Sequence, residues 1–120
     1  MTYKNTISFV WVKDIDAAKQ FYCTVLGFTE AFSSRGWVEL AVPGVSNGYI
    51  ALNRWTRNEK VPKNQFITLG VQDLKDYIER LKKFDVEFRG DVTDFYEEGI
   101  RMIKFYDPEK NIITAAEVLR

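Results

Sequence analysis

The chain has 120 residues, of which 46% are hydrophobic and 28% are charged. This length suits one domain that buries its own core, and no apolar run reaches the about 20 residues that a membrane span needs. The 17 basic and 17 acidic residues cancel, which excludes the basic surface typical of a nucleic-acid-binding protein. We therefore expect one soluble domain without nucleic-acid or membrane partners. The N-terminal residues carry no signal or transit pattern, which favours a cytoplasmic location.

The chain contains no histidine. This absence excludes an imidazole base, a Ser-His or Cys-His nucleophile pair, and the usual zinc and non-haem iron sites that contain histidine. The single cysteine, Cys23, has no partner for an intrachain disulfide. It falls in a predicted amphipathic helix, where a small hydrophobic role is the usual one.

The first half of the chain predicts a strand, a helix and three further strands. A β-branched and aromatic run from Ile7 leads to Asp14, whose side chain is suited to cap a helix. The apolar residues of this helix recur at i, i+3, i+4 and i+7, and Gly27 ends it. They are Ala18, Phe21, Tyr22 and Val25. Strands are predicted over residues 28–32, 37–42 and 49–55.

The second half repeats this order after a polar segment over residues 56–64 that contains Pro62, which favours an exposed linker. Residues 66–74 align with residues 7–15 at a constant offset of 59, and Asp73 takes the place of Asp14. The apolar stripe of the second helix consists of Leu74, Tyr77, Ile78, Leu81 and Phe84. Strands are predicted over residues 86–89, 100–106 and 111–117.

The repeat predicts an α+β fold made of two βαβββ modules, about residues 6–55 and 65–118. We expect the modules to form a curved, partly closed mixed sheet around a pocket, as one domain over residues 1–120. The sequence leaves open whether the modules pair within one chain or across two chains.

Three segments follow one another in a recognisable order. Residues 12–16, VKDID, lead into Phe21-Tyr22; residues 25–28 read VLGF; and residues 105–111 read FYDPEKN. Together they resemble the vicinal oxygen chelate superfamily, whose last segment is a DPdGn turn. That superfamily includes glyoxalase I, extradiol dioxygenases, fosfomycin resistance proteins and bleomycin resistance proteins.

The resemblance implies four positions for metal ligands, on the first and last strand of each module, where metal-dependent members use His, Glu or Gln. In this chain they are Ile7 and Ala51, then Phe66 and Thr114. Three of these side chains have no donor atom, and a threonine hydroxyl alone is a poor ligand for a divalent ion. A shift of one residue brings in only Gln65 as an acceptable ligand. We therefore expect neither metal nor cofactor, and we do not transfer the isomerisation of glyoxalase I.

The four positions also indicate which side chains line the pocket, because alternate residues of a strand share a face. The predicted lining is aromatic and apolar with a few neutral polar groups, which is typical of a small-molecule site. The predicted ligand-binding residues are Phe9, Trp11, Tyr49, Asn53, Trp55, Phe66, Thr68 and Thr114. The alternative is that these aromatic side chains only fill the core.

Glu39 is an acidic residue in an otherwise apolar strand pattern. Its carboxylate would act as a base or bind a cationic ligand. The alternative is an exposed edge or an ion pair with Arg54 or Arg101. Tyr96 and the following Glu97-Glu98-Gly99 would either cover the pocket mouth or form a solvated hairpin turn.

Three functional hypotheses follow. The first is metal-independent binding of a hydrophobic or aromatic small molecule, as the resemblance to bleomycin resistance proteins implies. The second is an enzyme of the same superfamily, a lyase or isomerase that uses groups such as Glu39 and Tyr49, or an unusual metal enzyme with oxygen ligands. The third is a structural or partner-binding module. The sequence identifies no catalytic residue, and the resemblance implies a homodimer.

Overall fold

In the computed structural model, which describes residues 1–63 and 65–120, each half of the chain folds as a strand, a helical segment and three more strands. The chain divides into two units, Met1–Gln65 and Phe66–Arg120. The predicted linker therefore lies at the end of the first unit, and its last residue, Asn64, is outside the described residues. Within the linker, Val61 is buried, although the sequence predicted an exposed segment.

The elements of the first unit begin with β1 and α1, and α1 continues directly into one turn of π-helix. Their bounds are β1 Thr6–Val12, α1 Ile15–Gln20, the π-helical turn Phe21–Val25, β2 Thr29–Ser33, β3 Trp37–Ala41 and β4 Gly48–Arg54. The turn is closed by Gly27, whose positive φ of 79° suits glycine.

The elements of the second unit follow the same order without the π-helical turn. They are β5 Ile67–Gly70, α2 Leu74–Lys83, β6 Phe88–Phe95, β7 Ile100–Tyr106 and β8 Ile112–Val118. None of the helices in the described part of the chain is long and apolar enough to cross a membrane.

Each unit contains a mixed four-stranded sheet. The strand orders are β1-β4-β3-β2 and β5-β8-β7-β6. The first and last strands of each unit, β1 with β4 and β5 with β8, pair in parallel, and the other neighbours are antiparallel. The predicted α+β fold of two βαβββ modules is confirmed.

The largest error in the predicted elements concerns β6. The sequence predicted a strand over residues 86–89, whereas β6 extends from Phe88 to Phe95. The predicted strand ended directly before Gly90. The pairing with β7 instead shifts register between Arg89 and Thr93, so the strand continues through a bulge with Gly90 at a positive φ.

The core of the first unit lies between its sheet and α1, which packs against β4. Alternate residues of β1, β3 and β4 face this core because side chains alternate along a strand. They are Val10, Val12, Val38, Leu40, Ile50 and Leu52, and the helical segment contributes Ile15, Ala18, Tyr22 and Val25.

The core of the second unit is built in the same way between its sheet and α2. The sheet contributes Ile67, Ile103, Phe105, Ile113 and Ala115, and α2 contributes Leu74 and Leu81. Both helices begin at the predicted aspartates. Asp14 accepts a hydrogen bond from the Ala17 amide, and Asp73 accepts one from the Asp76 amide, each at 3.0 Å.

A buried aspartate organises the turn between β7 and β8. Asp107 is 3% exposed, and its carboxylate accepts hydrogen bonds from the amides of Glu109 and Asn111 and from the Asn111 side chain, all at 2.9 Å. The turn places Lys110 at a φ of 69°. This is the left-handed region, where a side chain costs about 1 kcal/mol relative to glycine.

We predict that Lys110→Gly is more stable than Lys110→Ala by about 1 kcal/mol, because both variants lose the Lys110–Glu87 ion pair but only glycine relieves the backbone strain. Urea denaturation followed by far-UV circular dichroism measures the difference. Equal free energies of unfolding for the two variants would contradict this explanation.

Tyr77 of α2 carries a buried hydroxyl with no hydrogen-bond partner among the described residues. Its ring lies 6.2 Å from the Phe105 ring. Burial raises the pKa of Tyr77 to about 12, because a desolvated phenolate is disfavoured.

We predict that Tyr77→Phe is more stable than the parent chain by up to about 1 kcal/mol at neutral pH, since the unpaired hydroxyl is removed. The folded pKa lies above that of the unfolded phenol. The unfolded chain therefore loses this proton first, so the parent's free energy of unfolding is unaffected below pH 10 and falls as the pH rises from 10 to 12. The advantage of the phenylalanine variant therefore grows above pH 10. Urea midpoints of both chains at pH 8, 10 and 11 test this, and a constant difference would contradict it.

Candidate functional site

Four aromatic rings form a continuous row on the face of the first sheet that lies opposite α1. Adjacent ring centroids are 6.0 Å apart between Trp37 and Phe9, 5.5 Å between Phe9 and Trp11, and 5.1 Å between Trp11 and Trp55. All four residues are half-buried. We call this set, Trp37, Phe9, Trp11 and Trp55, the aromatic row. It contains all three tryptophans of the chain.

The row depends on strand order and on one small residue. Phe9 and Trp37 lie on β1 and β3, with β4 between them. Phe9 is opposite Ala51 of β4, and Trp37 is opposite Asn53. Because the Ala51 side chain is only a methyl group, the two rings approach one another diagonally across β4.

Trp55 joins the row although β4 ends at Arg54. The Trp55 amide donates a hydrogen bond of 2.8 Å to the Val12 carbonyl and so extends the parallel ladder by one residue. Its indole donates a hydrogen bond to the Glu59 carbonyl at 3.0 Å, and the Arg57 guanidinium lies 5.6 Å from its ring centroid. These contacts fix the ring at the end of the row.

Glu39 lies on the same face, beside the aromatic row. It is opposite Ala51 on one side and Phe32 on the other, and its Oε2 accepts a hydrogen bond of 2.8 Å from the Trp37 indole. Arg54 pairs with Val12 and therefore lies on the other face of the sheet. The other candidate arginine, Arg101, lies on β7, and its Nε donates a hydrogen bond of 2.7 Å to Oδ1 of Asp94. The half-buried Glu39 thus has an indole partner where the sequence considered an exposed edge or an arginine partner.

The remaining predicted residues of the first unit share this face. Asn53 lies directly between Trp11 and Trp37 in the strand register. Tyr49 is opposite Ile7 and Ala41. It precedes Ala51 by two residues on β4 and therefore shares its face. The structure therefore brings Phe9, Trp11, Asn53 and Trp55 together, with Tyr49 at the next level of the sheet.

The predicted residues of the second unit form a more polar surface. Thr68 of β5 is directly opposite Thr114 of β8, and Lys104 of β7 follows on the other side of Thr114. Arg89 of β6 is opposite Lys104 in turn. Phe66 precedes β5 by one residue and is 67% exposed. The two threonines are adjacent in the strand register, and the next residues across the sheet, Lys104 and Arg89, are cationic.

Sequence reasoning missed Trp37, Lys104 and Arg89 as members of these faces. The alternation Trp37-Val38-Glu39-Leu40 contained a usable signal, because burying Val38 and Leu40 places Trp37 and Glu39 together on the other face. No comparable signal identified Arg89, because β6 was predicted to end there.

The side chains at the implied metal positions do not fit a divalent ion. Ile7 and Ala51 offer no donor atom, and no group of three His, Cys, Asp or Glu side chains that could hold a metal is found among the described residues. Gln65 Oε1 is buried without a hydrogen-bond partner in the described chain, but a single neutral oxygen does not make a site for such an ion.

Two other candidate groups lie away from the aromatic row. Cys23 is in the π-helical turn, and burial raises the pKa of its thiol, so the less reactive protonated form is favoured. Tyr96 is 88% exposed in the turn between β6 and β7, where the Gly99 amide donates to the Phe95 carbonyl at 2.9 Å. This is the geometry of a solvated hairpin turn.

Comparison with solved structures finds the same fold in several proteins. A member of the glyoxalase/bleomycin resistance protein/dioxygenase superfamily from Sphaerobacter thermophilus is 24% identical over 98% of each chain, with a TM-score of 0.82. TnmS3, an antibiotic-binding protein from Streptomyces sp. CB03234, is 23% identical over 98% of this chain and 97% of its own, with a TM-score of 0.80. The fosfomycin resistance protein FosX from Listeria monocytogenes is 19% identical over 98% and 94%, with a TM-score of 0.74.

The sequence itself supplies the family assignment. No curated protein matches it. The model of the Glyoxalase/Bleomycin resistance protein/Dioxygenase superfamily matches residues 5–114, which is most of the 120 residues. The resemblance seen in the sequence is therefore confirmed: the chain belongs to the glyoxalase/bleomycin resistance protein/dioxygenase superfamily.

Proposed function

We propose that this protein binds a planar hydrophobic or aromatic small molecule at the aromatic row, without a metal ion. The observation that carries the proposal is the row itself, four half-buried rings in contact on one sheet face. Half-buried rings keep part of their apolar surface available, and a planar ligand stacks on or packs edge-on against such surfaces.

The polar groups beside the row support a binding role. Asn53 lies between Trp11 and Trp37 in the register, and Glu39 is held by the Trp37 indole. An apolar wall with a few fixed hydrogen-bonding groups is the usual composition of a small-molecule site. Asn53 would orient the ligand, and the rings would supply most of the binding free energy.

Two further observations support binding without a metal. The side chains of Ile7 and Ala51 provide no donor atom at the positions where metal-dependent members of the superfamily place ligands. The similar protein TnmS3 is described as antibiotic-binding, which agrees with a sequestering function of the bleomycin resistance type. We expect such a protein to act in the cytoplasm, as the sequence predicts.

Tryptophan fluorescence provides a direct test, because every tryptophan of the chain lies in the row. We predict that at least one of quinoline, 1-methylquinolinium and 1-naphthoate binds with saturable quenching. Trp11→Leu is expected to weaken that binding about fivefold, since it removes one of the two inner rings of the row, and one aromatic contact is worth about 1 kcal/mol. Isothermal titration calorimetry measures the dissociation constant independently of the tryptophan count.

Phe84→Ala is the matched control. Phe84 is an exposed aromatic residue at the end of α2 with Arg80 positioned 5.5 Å from its ring centroid, much as Arg57 is positioned over Trp55. The Phe84→Ala variant should bind the probe with the same dissociation constant as the parent protein. The absence of binding by every probe, or binding that disappears after treatment with a chelator, would contradict the proposal.

We also propose a homodimer, which the family resemblance supports. Multi-angle light scattering should give twice the 14.0 kDa of one chain. A mass equal to that of one chain across a range of protein concentrations would refute it.

A further inference from the structure

We propose that the ligand of the aromatic row carries a positive charge, and that the Glu39 carboxylate selects it. This inference rests on the proposed binding function and adds the chemical class of the ligand, a planar aromatic cation.

The first argument is the position of the carboxylate. Glu39 Oε2 accepts the Trp37 indole hydrogen at 2.8 Å, and an indole is a neutral donor that leaves the negative charge in place. A carboxylate has about four acceptor positions on its two oxygens. The hydrogen bond therefore fixes the carboxylate beside the row and leaves acceptor capacity for a ligand.

The second argument is the surroundings of that carboxylate. Its neighbours in register are Phe32 and Ala51, and the Phe9 ring lies beyond Ala51, in contact with Trp37. The faces of aromatic rings attract cations, so the rings and the carboxylate favour the same kind of ligand group. A neutral ligand that covers Glu39 would remove water from the carboxylate without replacing it by a counter-charge, which is costly.

The third argument is the distribution of charge over the sheet. Among the residues of β1 to β4, all of which the structure describes, Glu39 is the one charged side chain on the face of the aromatic row. Glu30 is opposite Leu40, on the face of α1, and is paired with Lys19. Arg57 lies over Trp55 at the other end of the row, where it repels a second cation. The charged group of the ligand should therefore lie at the Trp37 end.

A set of related planar probes separates charge from shape. Quinoline is neutral at pH 8, 1-methylquinolinium carries a fixed positive charge, and 1-naphthoate carries a negative one. We expect 1-methylquinolinium to bind the parent protein at least about tenfold more tightly than quinoline, and 1-naphthoate to bind most weakly. Calorimetric titrations at 20 and 200 mM salt should show that only the cationic probe loses affinity markedly at high salt.

Glu39→Gln tests the residue itself, because glutamine keeps an oxygen that accepts the Trp37 indole hydrogen while the charge is removed. It should weaken 1-methylquinolinium binding about tenfold and change quinoline binding less than threefold. Glu30→Gln is the matched control, since it removes one negative charge from the same sheet on the opposite face. It should leave both affinities within twofold of the parent values.

The outcomes distinguish this inference from the function on which it rests. Equal affinity for quinoline and 1-methylquinolinium, or a cation affinity that Glu39→Gln does not change, overturns the inference and leaves binding by the aromatic row intact. Failure of all three probes to bind overturns both. Equal losses in Glu39→Gln and Glu30→Gln would show a general effect of net charge and would also overturn the role of Glu39.

Discussion

The alternation of side chains along β1, β3 and β4 is the constraint on which the rest of the first unit depends. Val10, Val12, Val38 and Leu40 must meet the helical segment to bury their apolar surface. Adjacent residues of a strand point in opposite directions. Burial of these four side chains therefore places their neighbours on the other face of the sheet, namely Phe9, Trp11, Trp37 and Glu39. A shift of one residue in any of these strands would exchange its two sets of side chains, and in β3 it would place the Glu39 carboxylate in the core. Burial of the core therefore fixes the composition of the candidate site.

The two units show how one architecture carries different surfaces. Phe9 is opposite Ala51 and then Glu39 in the first unit, and the equivalent row of the second unit is Thr68, Thr114 and Lys104. The topology and the aspartate caps are shared, whereas the faces differ in polarity and in the sign of their charge. Core positions and caps are constrained by stability, but a face that does not pack on its own helix is free to adapt to a ligand. The difference in polarity and charge therefore falls on the face where binding is proposed.

The same comparison explains why membership of this superfamily does not by itself supply an activity. Metal-dependent chemistry needs donor atoms at particular strand positions, and Ile7 and Ala51 have none. What the first unit has in their place is an apolar surface of rings that contact one another at 5.1 to 6.0 Å. Rings in such contact are held in position by their neighbours, so a ligand would meet a preorganised surface and less side-chain entropy would be lost on binding. The physical chemistry of the face favours recognition.

The sequence by itself determined the features that depend on local interactions. It predicted the caps Asp14 and Asp73, the order of elements in both halves, the bounds of β7 and the shared face of Phe9 and Trp11, because capping and alternation act within a few residues. Tertiary structure decided the rest. Gly90 became a bulge because β7 continued to pair with the strand beyond it. Trp37 joined the aromatic row only because β4 lies between β1 and β3 and places Ala51 between the rings. Strand order and register are set by contacts between residues distant in the chain, so local sequence patterns do not predict them.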